Sequence, residues 1–72
     1  MKKINKIKIK VNGKITTIVD KITLAELIKD LKIPLRKVAI ELNEEIVDKK
    51  KIRKIKLKNN DVMEIVHFIG GG

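Results

Sequence analysis

Val62-Met63-Glu64-Ile65-Val66-His67-Phe68-Ile69-Gly70-Gly71-Gly72 closes the sequence, and it reads as a strand running straight into glycine. Val and Ile favour extended backbone because their branched side chains suit a pleated surface. Strand alternation puts Met63, Ile65, His67 and Ile69 on one face and Val62, Glu64, Val66 and Phe68 on the other. An unpaired carboxylate is costly to bury. The Glu64 face is therefore expected towards solvent, and Met63, Ile65 and His67 towards the core. Val66 and Phe68, the one aromatic residue of the chain, are then exposed beside the glycines. An apolar pair in that place reads as a docking patch with Ile69; the plainer alternative is Phe68 folded over the sheet edge as a lid. Three of the four glycines are Gly70, Gly71 and Gly72. Without Cβ atoms they can thread a narrow channel, and they leave the Gly72 carboxylate open to attack. Residues 1–69 are expected to form one domain and 70–72 a flexible tail.

Upstream, Ile7, Ile9 and Val11 alternate with Lys6, Lys8 and Lys10, a half-buried strand with a solvated outer face. Asn12-Gly13 is a strong signal for a two-residue hairpin turn, because a type I′ turn needs positive φ at both central positions. A second strand follows from Lys14 to about Asp20. Thr23-Leu24-Ala25-Glu26 has the form of a capping box, with Ile22 and Leu27 placed as a hydrophobic staple. Leu24, Leu27, Ile28 and Leu31 then form one helical apolar face, and Pro34 closes the helix. Val38, Ile40 and Leu42 predict a third strand, Asn43-Glu44-Glu45 a turn and Ile46-Val47 a short extended piece. Asp48 to Lys54 reads as a basic connector with a turn of helix. Ile55 and Leu57 predict a brief strand, and Lys58 to Asp61 a turn. This is an α+β chain, a mixed four- to five-stranded sheet packed on one amphipathic helix.

Seventy-two residues bury only about 60% of the surface their unfolded chain exposes, which leaves no core to hollow into a deep substrate pocket. With no Cys and one His, neither a thiolate site nor a His-rich metal site is expected. His67 has no Ser, Cys or paired carboxylate beside it in sequence, so it reads as a packing residue rather than a general base. No catalytic residue and no metal site is assigned. No apolar run is long enough to span a bilayer, and Met1 to Lys6 is basic with no apolar stretch behind it. A cytoplasmic location without membrane contact is expected. The net charge of +9 comes from 16 Lys and two Arg. Phosphate and base recognition favours Arg, so a Lys excess reads as genome or surface bias. The seven basic residues within Lys49 to Lys58 read as solvated surface, with no specific nucleic-acid binding.

Asp61-Val-Met-Glu-Ile-Val-His-Phe-Ile-Gly-Gly-Gly72 resembles the C-terminus of the ThiS group of sulfur carriers of thiamin biosynthesis, which are ubiquitin-like β-grasp proteins. Leu42-Asn43-Glu44-Glu45-Ile46-Val47 resembles that family's middle segment, and the early Asn12-Gly13 hairpin and the order of elements also match. The marked positive charge departs from the family. The resemblance implies a carrier acted on by partner enzymes rather than an enzyme. A ThiF-like adenylyltransferase of the ubiquitin-activating type would join the Gly72 carboxylate to AMP, using its own Mg and ATP. Persulfide sulfur from a cysteine desulfurase relay would displace AMP to leave a thiocarboxylate, which a ThiG-like thiazole synthase would consume. Gly70 and Gly71 would thread into those partners, with Val66, Phe68 and Ile69 docking, and no cofactor would be held stably. Other readings are the sulfur carrier of molybdopterin synthesis, a ubiquitin-like protein modifier and, in a different class, an RNA-binding β-grasp module. The lack of stacking aromatics weighs against the last.

Overall fold

The computed structural model describes residues 4–68. β1 (Lys6–Val11) and β2 (Lys14–Val19) pair antiparallel, with Val11 opposite Lys14. Asn12 at φ 50° and Gly13 at φ 82° supply the two left-handed residues that the tight turn requires. Helix α1 (Leu24–Asp30) follows. A 3₁₀ turn at Leu35–Lys37 leads into β3 (Val38–Leu42), which folds back on the short β4 (Glu45–Ile46) through Asn43 and Glu44, both at positive φ. Glu45 thus belongs to a strand and not to the turn. A second 3₁₀ turn at Lys49–Lys51 and an irregular stretch precede β5 (Val62–His67). The sheet order is β2-β1-β5-β3-β4, with β5 parallel to β1 and antiparallel to β3. This is the five-stranded mixed sheet on one helix expected from the pattern.

The helix starts as its sequence dictates. The Glu26 N–H donates to Thr23 Oγ1 at 3.1 Å, and the Thr23 N–H donates back to the Glu26 carboxylate at 3.1 Å. The next two N–H groups, of Leu24 and Ala25, donate to the carbonyls of Ile55 (2.8 Å) and Ile52 (3.1 Å). The donors that a helix start leaves unpaired are therefore met partly by its own cap and partly by the irregular segment. The helix stops before Pro34 acts. Lys32 takes φ 56°, its N–H donates to Lys29 and that of Ile33 to Ile28, which is a Schellman closure with lysine where glycine is usual. Leu31, expected on the apolar face, becomes the cap residue and is 43% exposed.

Leu24, Leu27 and Ile28 of the helix pack on Ile9, Ile18, Val38, Ile40 and Met63 of the sheet. Leu57 joins this core from the irregular segment, its N–H donating to Ile22 at 2.9 Å. The strand expected around Ile55 and Leu57 is reduced to a single bridge, Lys56 with Thr23. It pairs with backbone about to become helix, so no ladder can extend from it.

The Glu26 carboxyl is held below its ordinary range by the hydrogen bond from the Thr23 backbone and then by that from the Thr23 hydroxyl. A depressed pKa stabilises the fold above the unfolded-state value and loses that contribution as pH falls through the folded-state value. In urea titrations Thr23→Ala is expected to cost about 1 kcal/mol at neutral pH. The stability gap between the native chain and Glu26→Ala should narrow as pH falls from neutral through and below the ordinary glutamate range.

Candidate functional site at the root of the tail

A strand delivers whatever follows it in a fixed direction only if its own backbone is held. β5 is held from both sides. Towards β3, the Val62 carbonyl accepts from the Asn43 N–H at 2.7 Å, and the Val62 N–H donates to Asn43 Oδ1 at 2.9 Å. The Asn43 side-chain amide then donates to Asp61 Oδ1 at 3.0 Å, and Asp61 Oδ2 accepts from the Lys58 N–H at 2.7 Å. Towards β1, the Met63 carbonyl accepts from the Asn12 N–H at 2.9 Å. There β1 turns away, and the Asn12 side chain continues the ladder by itself. Its Oδ1 accepts from the Ile65 N–H at 2.6 Å, and its Nδ2 donates to the Ile65 carbonyl at 3.3 Å. Both hairpin asparagines were readable as turn formers. Their second role, gripping the last strand, joins positions 53 and 19 residues apart in sequence and has no local signal.

Beyond Ile65, β5 has β3 as its one strand neighbour among the described residues. Val66 and Phe68 are 56% and 47% exposed, as strand parity predicted. His67 is exposed too, although it shares the parity of buried Met63 and half-buried Ile65. The reason is the end of β1: with no strand on that flank, the inward side of the sheet is open at His67. Ile69 and Gly70 to Gly72 lie outside the described residues. Phe68 is tied at the last step. Its N–H donates to the Lys37 carbonyl at 2.8 Å, and the Lys49 ammonium stands 5.4 Å from its ring centroid, a cation–π approach.

The outer sheet face divides by charge. Lys6, Lys8 and Lys10 point out from β1, whereas Glu41 and Glu64 face each other across β3 and β5, with Ala39 opposite Val66. The basic side chains of the run from Lys49 to Lys58 are exposed, as expected, except that of Lys49, which is half-buried. Ile52 and Ile55 pack on the core, their carbonyls accept from the helix start, and Lys49 reaches Phe68. The groove lined by Lys8, Lys10, Ile15, Asn60 and Val62 lies at the start of β5, away from Phe68. Among the described residues no cluster of three or more His, Cys, Asp or Glu could hold a metal, and no helix is long and apolar enough to cross a membrane.

The sequence model of the ThiS family matches residues 9–72. The chain belongs to the ThiS family. It is 38% identical over 50 residues to the sulfur carrier protein ThiS of Bacillus subtilis (strain 168), a match covering 69% of this chain and 76% of that protein. It is also 38% identical over 65 residues to a thiazole synthase of Paramagnetospirillum magneticum; that match covers 90% of this chain but 20% of the synthase. The crystal structure of the thiamine biosynthesis protein ThiS from Geobacter metallireducens superposes with a TM-score of 0.81 at 30% identity, covering 92% of this chain and all of that one. A solution structure of a thiamine biosynthesis protein from the same organism gives 0.73, with 92% and 88% coverage. The fold is the ubiquitin-like β-grasp of this family.

Asn12→Gly keeps the positive φ of the turn and removes both side-chain bonds to Ile65. Two hydrogen bonds of ordinary net value predict a loss of about 1–2 kcal/mol in urea unfolding. Amide exchange should quicken at Ile65 more than at Val66, whose partner is β3.

Proposed function

We propose that this chain carries sulfur as a thiocarboxylate on Gly72 and delivers it for thiazole formation in thiamin biosynthesis. The observation that carries this reading is the family match, which runs through residue 72 and so includes the glycines that continue a clamped central strand. A backbone carboxylate has an ordinary pKa of about 3.3–3.7, so at neutral pH it is an anion and a poor electrophile. Activation fits a ThiF-like adenylyltransferase: a Gly72 oxygen attacks the α-phosphorus of Mg-ATP and pyrophosphate leaves. A persulfide from a cysteine desulfurase relay then attacks the acyl carbon and AMP departs. A second thiol cleaves the sulfur–sulfur bond, leaving the thiocarboxylate on Gly72 and a disulfide on the donor. ATP, metal and catalytic groups belong to the partners; this chain supplies the carboxylate and the surface that presents it.

The thiazole synthase that contains a segment like this chain supports a ThiG-like enzyme as the acceptor. The names of the relatives favour the thiamin branch over molybdopterin synthesis, protein modification or RNA binding. Val66, Phe68 and Ile69 would dock, with Gly70 and Gly71 entering the partner.

Intact mass spectrometry after incubation with the host's adenylyltransferase, ATP and a sulfur source should show one oxygen replaced by sulfur. Deleting Gly72 or blocking its carboxylate should abolish the gain. Equal sulfur loading of a C-terminally extended, unprocessed chain would refute the assignment.

Phe68→Ala separates docking from folding. A buried Phe cut to Ala costs about 3–5 kcal/mol of stability, but Phe68 is half exposed. The melting midpoint should barely move, while adenylyltransferase binding weakens at least about tenfold, or roughly 1.4 kcal/mol. A large drop in stability with unchanged binding would make Phe68 a core lid.

A further inference from the structure

The two 3₁₀ turns are far apart in sequence and meet at Phe68. The first, Leu35–Lys37, touches it through the Lys37 carbonyl, and the second, Lys49–Lys51, through the Lys49 ammonium. Lys37 is exposed and holds the Phe68 backbone, and the Lys49 ammonium stands over the ring, so these two cationic residues flank the root of the tail. The acid nearest in sequence, Asp48, spends one carboxylate oxygen on capping the second turn, accepting from the Lys50 N–H at 2.9 Å. Glu41 and Glu64 lie further back, with Glu64 two residues before Val66 on the same face, about 7 Å away.

Tail length turns this placement into a constraint on the partner. Residues 69–72, fully extended, reach about 14 Å beyond Phe68. If Gly72 is the reacting end, as the proposed function has it, it can enter an enclosed site only when the mouth of that site closes on the two turns. Ammonium groups pressed into an interface lose water, and each is costly there unless an anion meets it.

We infer that the partner receiving the tail lines the mouth of its tail channel with carboxylates, and that Lys37 and Lys49 are positioning residues seated on them. Lys49 does this while stacked on Phe68, so the cation and the apolar anchor enter the interface as one unit. A protein rim fits better than a nucleic acid. The cations bracket an extended chain, and the one aromatic ring that could stack on a base already lies under Lys49.

Two double variants of equal charge test this. Lys37→Glu/Lys49→Glu alters the root of the tail. Lys6→Glu/Lys58→Glu alters the opposite end: Lys6 lies four residues before Lys10, which pairs with Val62 at the start of β5, and Lys58 lies in the turn that precedes β5. Each lowers the net charge from +9 to +5, two Lys→Glu changes removing four units. Binding of the full chains to the host's own adenylyltransferase and thiazole synthase is measured by calorimetry at about 50 mM and about 500 mM NaCl, across which exposed charges become screened. The root variant should lose about tenfold or more at low salt with at least one of the two enzymes, and the distal variant less than about threefold, as expected for contacts at a mouth rather than a general field. Salt should weaken the native chain more than the root variant. Lys37→Gln/Lys49→Gln, which removes charge without reversing it, should fall between, and melting curves establish that each variant is folded.

Equal losses in the two Glu variants would mean that overall charge steers the encounter, and would overturn the inference. So would native-like binding by the root variant, or binding of a random-sequence RNA oligonucleotide that depends on Lys37 and Lys49 more strongly than enzyme binding does. Native-like binding by a root variant whose parent gains sulfur at Gly72 overturns the inference and leaves the carrier reading standing. A root-specific loss of binding in a chain that never gains sulfur does the reverse.

Discussion

The structure depends on the last strand lying in the middle of the sheet. β5 enters between β1 and β3, parallel to one and antiparallel to the other, and it brings the fully buried Met63 into the core. Without it the β1–β2 hairpin and the β3–β4 hairpin have no strand in common. A hairpin alone is marginal in water, and pairing to a shared central strand makes one sheet of the two. The same placement fixes where the tail begins. β5 is gripped on both sides as far as Ile65 and by the β3 side from there to Phe68, so the root of the tail has a defined position and direction.

Asparagine does much of this gripping. Asn12 and Asn43 each occupy the first position of a two-residue turn with positive φ, and each uses its side chain to bind the backbone of β5. Asparagine suits both tasks, because it tolerates the left-handed region and its amide mimics a peptide group. Glycine outside the tail is limited to Gly13. Lys21, Lys32, Glu44 and Asn60 fill other left-handed positions, at some conformational cost.

The basic connector is ordered for reasons unconnected with its charge. Its carbonyls complete the hydrogen bonding of the helix start, and Ile52, Ile55 and Leu57 pack on or in the core. Its lysines are thereby directed outward, and the sequence reading of a solvated surface holds for most of them. Lys49 is different because the turn that carries it meets Phe68. Membership of the ThiS family identifies the type of protein.

Periodicity and turn chemistry by themselves determined the strands at both ends of the chain, the capped helix, the two-layer α+β class and the exposure of Val66 and Phe68. These depend on contacts within a few residues, which composition and spacing encode directly. The closing segment with its glycines was specific enough to mark the family. Tertiary structure alone decided where β5 inserts, that Asn12 and Asn43 hold it, that the helix stops at a left-handed Lys32, that Leu57 is buried without a strand and that His67 is exposed. Each of these turns on which distant segment lies alongside. His67 has the parity of a buried residue, and it is exposed because β1 ends before reaching it. Lys49 sits in a run of like charges, and it reaches the root of the tail because the turn after β4 comes to lie beside the ring that follows β5.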